Sequence, residues 1–251
     1  MLVNSEVEIA PNVYALPGLP AARIGDYIVV ADLHLGYEEA LSRDGVYLPR
    51  VQLRNAIRTI REIASASPES RKLLIAGDIK HVFNKILRSE KEEVSEFIRE
   101  SQELYKEVIV IRGNHDNFVS PIVKSEGAEF LEDGIEVGGV SIIHGHKKPR
   151  DTSGVIVLGH EHPSIQVRVG GSRVKFPVFL RVPLESGGTA VVIPAMGTYQ
   201  TGNVISTVKT AYLSPIIREE GIVDLAVPYI VDESGGIMEL TRLEILEQVL
   251  G

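Results

Sequence analysis

The segment YIVVADLH, residues 27–34, joins a short apolar run to two polar side chains, and this junction decides the fold. Its first five residues are apolar and rich in β-branched side chains, which predicts a strand buried on both faces. The strand ends at Asp32, and His34 follows two positions later. Because alternate residues of an extended chain share a face, we expect both side chains on the same side of the strand end.

The same pairing of an apolar run with polar groups recurs four more times along the chain. The runs cover residues 72–76, 108–111, 140–143 and 155–158. They end at Gly77-Asp78, Gly113-Asn114-His115-Asp116, His144-Gly145-His146 and Gly159-His160-Glu161-His162. The chain therefore carries a series of buried strands that each deliver chemically active side chains at the carboxyl end.

Amphipathic stretches separate the first three strands. One predicted helix has Pro49 in its first turn and continues to about Ala66. A second is capped by Ser89, with Glu92 three residues on, and its apolar stripe reaches Leu104. Strands that alternate with helices predict an α/β architecture.

The pattern changes after residue 162. Residues 167–169, 174–180, 190–193 and 222–231 are β-rich, and glycine and proline turns separate them with little helical periodicity. The sequence has no internal repeat and no linker long enough to divide it. We therefore expect one domain over residues 1–251, with the motifs in 27–162 and a mostly β C-terminal part in 163–251.

Composition excludes several classes of function. The 251 residues include no cysteine, which rules out disulfides, thiolate zinc sites and a cysteine nucleophile. A net charge of −8 argues against a generic basic nucleic-acid binder. The N-terminal segment does not resemble a signal peptide, and no apolar run approaches the roughly 18 residues of a spanning helix. We expect a cytoplasmic protein without a membrane segment.

The seven histidines indicate a metal centre, because all of them lie between residues 34 and 162 near the predicted strand ends. Ligands bind at the carboxyl ends of strands in open α/β sheets, and imidazole and carboxylate are common metal ligands. The candidate ligands are Asp32, His34, Asp78, Asn114, His144, His160 and His162. Seven groups exceed the needs of one ion, so two metals that share a carboxylate are predicted.

These motifs, in this order, resemble the five signature blocks of the calcineurin-like metallophosphoesterases over residues 32–162. His81, three residues after Asp78, is similar to the recombination-repair exonuclease branch. The segment Ile79-Lys80-His81 departs from the Asp-Arg-Gly pattern of protein serine/threonine phosphatases. Residues 193–199 are similar to small archaeal and bacterial phosphoesterases related to those nucleases.

The resemblance implies a four-layer αββα sandwich with two mixed β-sheets, and metal-dependent hydrolysis of a phosphoester, above all a phosphodiester. It implies that one divalent ion is held by Asp32, His34, Asp78 and His162. The other is held by Asp78, Asn114, His144 and His160, so that Asp78 bridges. Mn²⁺ is the preferred metal because mixed oxygen and nitrogen ligands suit it, with Fe, Zn, Ni or Co as alternatives.

Further roles follow from the same resemblance. His115 protonates the leaving oxygen or stabilises the phosphoryl charge, and His81 either assists it or has a structural role. Asp116 orients the His115 imidazole, or is only a turn residue.

Basic residues near the last motifs suggest a substrate rim. His146, Lys147, Lys148 and Arg150 are candidate substrate-binding residues, and residues 163–210 add five Lys or Arg against a single Glu. The functional interpretation is a track for a phosphate backbone, and the alternative is a solvated strand face. Residues 211–251, with eight acids and two basic residues, would repel a long polyanion.

Three functional hypotheses remain open at this point. The first is a nuclease-like phosphodiesterase with a DNA-repair role, whose partners are a phosphoester substrate and DNA or RNA. The second is a small-molecule phosphomonoesterase or cyclic-nucleotide phosphodiesterase. The third, a non-catalytic protein-binding scaffold, is disfavoured because every ligand position and His115 are retained.

Overall fold

A computed structural model describes residues 5–200, 202–232, 234 and 236–250. Within these residues seven strands form one sheet, in which the first four run antiparallel and β4 to β7 run parallel. The strands are β1 (Val7–Ala10), β2 (Val13–Ala15), β3 (Ala22–Ile24), β4 (Tyr27–Val30), β5 (Lys72–Ile75), β6 (Glu107–Ile111) and β7 (Glu129–Leu131).

The second sheet is also mixed and contains nine strands of the described chain. They are β8 (Ile135–Val137), β9 (Val140–Ile143), β10 (Val155–Leu158), β11 (Pro163–Val169), β12 (Ser172–Pro183), β13 (Thr189–Val192), β14 (Asn203–Val204), β15 (Val227–Asp232) and β16 (Gly236–Glu239). Strand β10 pairs in parallel with β9 and β13, whereas β12 pairs antiparallel with β11, β13 and β15.

Helices cover the outer faces of both sheets. They are α1 (Tyr37–Arg43), α2 (Gln52–Ala66), α3 (Arg88–Gln102), α4 (Ser120–Ser125), α5 (Pro215–Glu220) and α6 (Leu243–Leu250). Short 3₁₀ turns occupy Lys209–Ala211 and Val223–Leu225. Among the described residues no helix is both long and apolar enough to cross a lipid bilayer.

Alternation along β4 explains the layering. Ile28 and Val30 pack with the apolar faces of α2 and α3, where Ile60 and Phe97 are fully buried. Val29 points the other way, into a core shared with side chains of the second sheet. A strand with both faces buried must be apolar throughout, as this segment is. The predicted αββα sandwich with two mixed sheets is confirmed.

Several predicted boundaries were wrong. Helix α2 begins at Gln52, so Pro49 lies before its first turn. Helix α3 begins at Arg88 with Leu87 as its N-cap, and the Glu90 carboxylate accepts the Leu87 N–H at 2.7 Å. Ser89 therefore does not cap this helix. Leu104 lies beyond the helix end and is 37% exposed, so it is not part of the apolar stripe.

The terminal regions hold elements that the sequence patterns did not predict. Strands β1 to β3 form antiparallel hairpins before the first motif, too short for clear periodicity. The C-terminal part contains α5 and α6, and residues 223–225 form a 3₁₀ turn rather than strand. Ile216, Ile217 and Leu243 pack these helices against the outer face of the second sheet.

Glu93 on α3 links the helix layer to the loop after the first motif. Its Oε2 accepts the Gly36 N–H at 2.8 Å. Burial raises the pKa of Glu93 to about 7. The Gly36 N–H and Arg50 lower this pKa, whereas the neighbouring carboxylates of Glu38 and Glu90 raise it further. The ionised side chain is therefore less favourable in the folded state than in the unfolded chain.

This shift predicts a pH-dependent stability. Because the folded-state pKa is above the unfolded value, folding free energy is lost as pH rises from about 4.5 through about 7. Glu93→Gln keeps an acceptor for Gly36 but cannot ionise, so its stability should decline less over that window. Urea unfolding of both proteins at several pH values measures the difference. An equal decline in unfolding free energy with pH for both proteins would contradict the assignment of this pH dependence to Glu93.

Candidate metal centre

The carboxyl ends of strands from both sheets converge at one edge of the sandwich. Parallel pairing aligns Val30 with Ile75 and Ile75 with Val110, so that the motifs after β4, β5 and β6 emerge side by side. Strands β9 and β10 likewise pair in parallel and deliver the last two motifs. All seven predicted ligands meet between the two sheets.

The first ligand cluster contains Asp32, His34 and His162. The Nε2 atoms of His34 and His162 lie 3.3 Å apart, and Asp32 Oδ1 lies 3.4 Å from His162 Nε2. Asp32 is fully buried, yet its Oδ1 has no hydrogen-bond partner among the described residues. A buried carboxylate oxygen without a partner is costly unless a cation satisfies it, so the cluster fits a metal ion.

The second cluster contains Asp78, His144 and His160. Asp78 Oδ2 lies 3.4 Å from His144 Nε2, and Asn114 Oδ1 lies 3.0 Å from the same nitrogen. Asp78 Oδ2 is also 3.8 Å from His34 Nε2 of the first cluster. Asp78 therefore stands between the two groups of ligands.

Unusual backbone conformations place these side chains. Seven non-glycine residues of the described chain have positive φ, and five of them are predicted ligands. These five are Asp32 (57°), His34 (49°), Asp78 (53°), His160 (68°) and His162 (46°). Left-handed conformations are costly for non-glycine residues and concentrate at functional sites. Each of these five residues is thus held in a backbone conformation that is unfavourable for its residue type.

Glycines allow the close approach of these turns. Gly77 has φ +90°, and a Cβ there would overlap the His144 ring. A Cβ at Gly113 would overlap the Asp78 carboxylate. Hydrogen bonds then fix the packed turns, since Asp32 N–H donates to Gly77 O at 3.1 Å. Gly77 and Gly113 are therefore required because each packs against a side chain of another motif.

The tautomer of His144 is fixed by the backbone. Its Nδ1–H donates to the Ala76 carbonyl at 2.9 Å, which leaves Nε2 directed at Asp78 and Asn114. Metal-binding histidines characteristically donate a hydrogen bond from the N–H of their second ring nitrogen to such an acceptor. This arrangement fits His144 as a metal ligand through Nε2.

Charges in the site are tightly coupled. Burial opposes the ionised form of Asp78, but the nearby His144 and His34 outweigh it and hold the pKa of Asp78 well below its usual range. Burial lowers the pKa of His34 to about 3 and that of His160 to about 4. Burial also opposes charge on His144, yet Asp78 and Asp32 raise its pKa to about 9. A cation bound here would take over that balancing role and release the proton.

His115 and His81 lie beside the first cluster. The His115 backbone N–H donates to Asp78 Oδ1 at 2.8 Å, and its Nδ1–H donates to the His81 carbonyl oxygen. The two imidazoles are stacked with centroids 5.6 Å apart. Since Nδ1 is occupied, Nε2 is the nitrogen of His115 that can exchange a proton with a substrate.

Asp116 does not have the predicted orienting role. Its carboxylate accepts the backbone N–H groups of Asp78 at 2.7 Å, Gly113 at 2.8 Å and Lys80 at 3.4 Å. The His81 carbonyl occupies the position beside His115 Nδ1 that this role requires. Burial and the charge of Asp78 raise the pKa of Asp116 to about 7. Asp116 holds two motif loops together instead.

The predicted rim residues line one cavity, but one of them is already ion-paired. His146, Lys147, Lys148 and Arg150 line a cavity of about 560 Å³ next to His144. Lys148, however, forms ion pairs with Glu219 at 2.9 Å and Glu220 at 2.6 Å. Lys148 is therefore paired with two carboxylates of the acidic C-terminal part, unlike a free substrate-binding cation.

Three of the five basic residues in the stretch 163–210 make local contacts, which favours the alternative interpretation over a phosphate track. Lys209 is ion-paired with Glu185 at 2.8 Å. Arg181 lies over the Tyr229 ring, 5.7 Å from its centroid, and Lys175 donates to the Gly202 carbonyl at 3.0 Å. The three side chains are committed to different local contacts, so they do not line one path.

Two polar side chains that support the motifs were not predicted from the sequence. Gln52 is buried and donates to the His34 carbonyl at 2.7 Å, which fixes the loop after β4. Glu161 lies between two ligands, and its carboxylate accepts the N–H groups of Leu213, at 3.0 Å, and Ser214. No sequence signal marks Gln52, whereas Glu161 lies inside a motif.

Comparisons with known proteins agree with the geometry. The calcineurin-like phosphoesterase family model matches residues 26–192. No curated protein matches the chain. The structure is similar to nuclease MPE of Pseudomonas putida at 17% identity and a TM-score of 0.65, covering 94% of this chain and 98% of that one. It is also similar to YfcE, a phosphoesterase from E. coli, at 13% identity and a TM-score of 0.43, covering 86% of this chain and 98% of that one.

Likeness at these identities concerns the fold alone, and the family match carries the assignment. It spans well over half of the chain and includes every predicted ligand. The two clusters of buried aspartate and histidine supply the divalent-metal site that such an enzyme requires. The chain belongs to the calcineurin-like phosphoesterases and is a metal-dependent phosphoric ester hydrolase.

Proposed function

We propose that the protein is a dinuclear, nuclease-like phosphodiesterase. The position of Asp78 carries the proposal, because its Oδ2 lies 3.4 Å from His144 and 3.8 Å from His34. One carboxylate that faces both ligand clusters suits two ions that share a ligand. A role in DNA repair is part of this proposal and rests on the placement of His81.

The ligand sets follow from the two clusters. The first ion would be held by Asp32, His34, Asp78 and His162, and the second by Asp78, Asn114, His144 and His160. Mn²⁺ suits these mixed ligands best, with Fe, Zn, Ni or Co as alternatives. When bound, two such ions would supply positive charge for the phosphoryl oxygens and a nucleophile at neutral pH.

His115 has the geometry of the proton donor. Its Nδ1–H is held by the His81 carbonyl, so a protonated ring would present Nε2–H to the substrate. Hydrolysis forms a bond from water oxygen to phosphorus and breaks the bond from phosphorus to the leaving oxygen, which takes a proton from His115. The attacking water gives up one proton to the solvent, from which the imidazole is protonated again. His81, stacked on this ring, keeps the imidazole in place as a positioning residue.

A small-molecule phosphomonoesterase or cyclic-nucleotide phosphodiesterase is the second candidate. The pairing of Lys148 with Glu219 and Glu220 favours it, since acidic residues beside the cavity repel a long polyanion. The nuclease named MPE, which shares this fold, supports the first candidate. A scaffold role is disfavoured because all seven ligand positions come together.

Asp78→Asn tests the shared ligand. Loss of one carboxylate charge between the clusters should remove at least one metal ion per chain and nearly all turnover. Elemental analysis of dialysed, Mn-loaded protein and hydrolysis of bis-p-nitrophenyl phosphate measure both effects. Asp224→Asn, at an exposed aspartate outside the ligand clusters, is the control and should keep wild-type values. Unchanged metal content in Asp78→Asn would remove the bridging role.

His115→Ala tests proton donation. The variant should retain both metals while its rate on a dinucleotide falls about 10²- to 10⁴-fold, the usual contribution of a general acid. The loss should be much smaller on bis-p-nitrophenyl phosphate, whose leaving group needs little protonation. An equal loss on both substrates would instead indicate phosphate binding or a disturbed fold.

Charge removal at the cavity tests the nucleic-acid proposal. Lys147→Ala combined with Arg150→Ala should weaken binding of single-stranded DNA, and its salt slope should decrease by about one per lost phosphate contact. Lys148→Ala is the matched control and should leave the slope unchanged, because Lys148 is already paired. Absence of DNA binding at low salt, with small diesters still hydrolysed, would favour the second candidate.

A further inference from the structure

An exposed phenylalanine stands next to the proposed proton donor. The Phe83 ring meets the His115 imidazole edge to face, with centroids 5.9 Å apart and an interplanar angle of 90°. More than half of Phe83, 55%, is exposed. A single exposed apolar side chain is ordinary by itself. Its contact with His115 places this one where a bound substrate can reach it.

Buried charges hold the loop that presents this ring. Lys80 is fully buried, and its Nζ donates to the Lys85 carbonyl at 3.3 Å and to the Val82 carbonyl. Glu90 is fully buried as well, and its carboxylate accepts the Val82 N–H at 2.6 Å. Burial of charged groups is costly unless they are well bonded. Here both charges are bonded to the backbone around Phe83.

A third contact ties this loop to the motif that contains His115. Asn117 Nδ2 donates to the Phe83 carbonyl at 3.0 Å. The backbone on both sides of Phe83 is therefore fixed relative to the imidazole, while the ring itself remains open to solvent. A binding group held in this way loses little conformational entropy when a ligand contacts it.

The chemistry of the ring and its position define the ligand. An exposed phenylalanine offers a flat apolar face, on which a planar aromatic group stacks. His115 delivers its proton to the leaving oxygen, so a ring in contact with His115 lies on the leaving side. Other aromatic rings line the same region. The centroid of the Tyr37 ring lies 4.7 Å from that of His81, and Tyr37 stacks on Tyr199 with centroids 5.6 Å apart.

We propose that Phe83 stacks on the nucleobase of the leaving nucleotide, which makes unpaired nucleotide diesters the preferred substrate class. This inference rests on the proposed phosphodiesterase function. Phe83 then determines specificity: it contacts the substrate, and diesters that lack a base on the leaving side lose the contact.

Three dinucleotides test the inference. They are thymidylyl-thymidine and two analogues in which an abasic tetrahydrofuran replaces the base on one side or the other. The end that carries phosphate after cleavage identifies which nucleoside leaves. Phe83→Ala should reduce kcat/KM for thymidylyl-thymidine about 5- to 150-fold, the range that one stacked base contributes.

The analogues separate stacking from a general disturbance of the site. For the analogue without a base on the leaving side, the ratio of wild-type to variant kcat/KM should fall to near one. The other analogue should keep the full ratio. Phe83→Tyr, which retains a ring, should stay near wild type, whereas Phe83→Leu should resemble Phe83→Ala.

Two results would overturn the inference. One is an equal loss on all three substrates, and the other is no loss on thymidylyl-thymidine. Hydrolysis of bis-p-nitrophenyl phosphate without cleavage of any dinucleotide would also overturn it, while metal-dependent phosphodiesterase activity as such would stand. Failure of the wild type on every diester with each divalent metal would instead count against the proposed function itself.

Discussion

The backbone at the strand ends is the constraint on which the site depends. Asp32, His34 and Asp78 all adopt left-handed conformations that cost of order 1–3 kcal/mol each for non-glycine residues. Hydrogen bonds between neighbouring motifs offset this cost, such as His34 N–H to the Asp78 carbonyl at 2.9 Å. The two packed sheets thus enforce turns that an isolated chain would avoid, and those turns aim the ligands inward.

Burial of charge is the second requirement, and it links structure to chemistry. Asp32 and Asp78 are almost completely inaccessible, and the histidines around them are packed ring against ring. Two carboxylates so placed need nearby positive charge, which His144 supplies in part. These carboxylates and histidines suit divalent cations, and bound cations would attract a phosphate ester.

Periodicity and motif spacing are local properties, and they predicted the central strands and the grouping of all seven candidate ligands at the strand ends. The αββα sandwich was implied by the family resemblance. The sequence patterns did not anticipate the contacts of Asp116 and Lys148. Asp116 bonds to backbone groups that lie near it only after folding, and Lys148 contacts Glu219 in a distant segment. Nothing in the sequence marked Phe83, because an exposed aromatic residue indicates a binding role only once its neighbours in the structure are known. The predicted features follow from local sequence preferences, whereas those that were not predicted depend on contacts between distant segments.

The central claim is that one carboxylate joins two metal sites. Anomalous diffraction from crystals of the Mn²⁺-loaded protein, recorded at the manganese edge, tests it most directly. The account predicts two peaks about 3.5–4 Å apart, with an oxygen of Asp78 bonded to both. A single peak, or two peaks of which only one contacts Asp78, would contradict it.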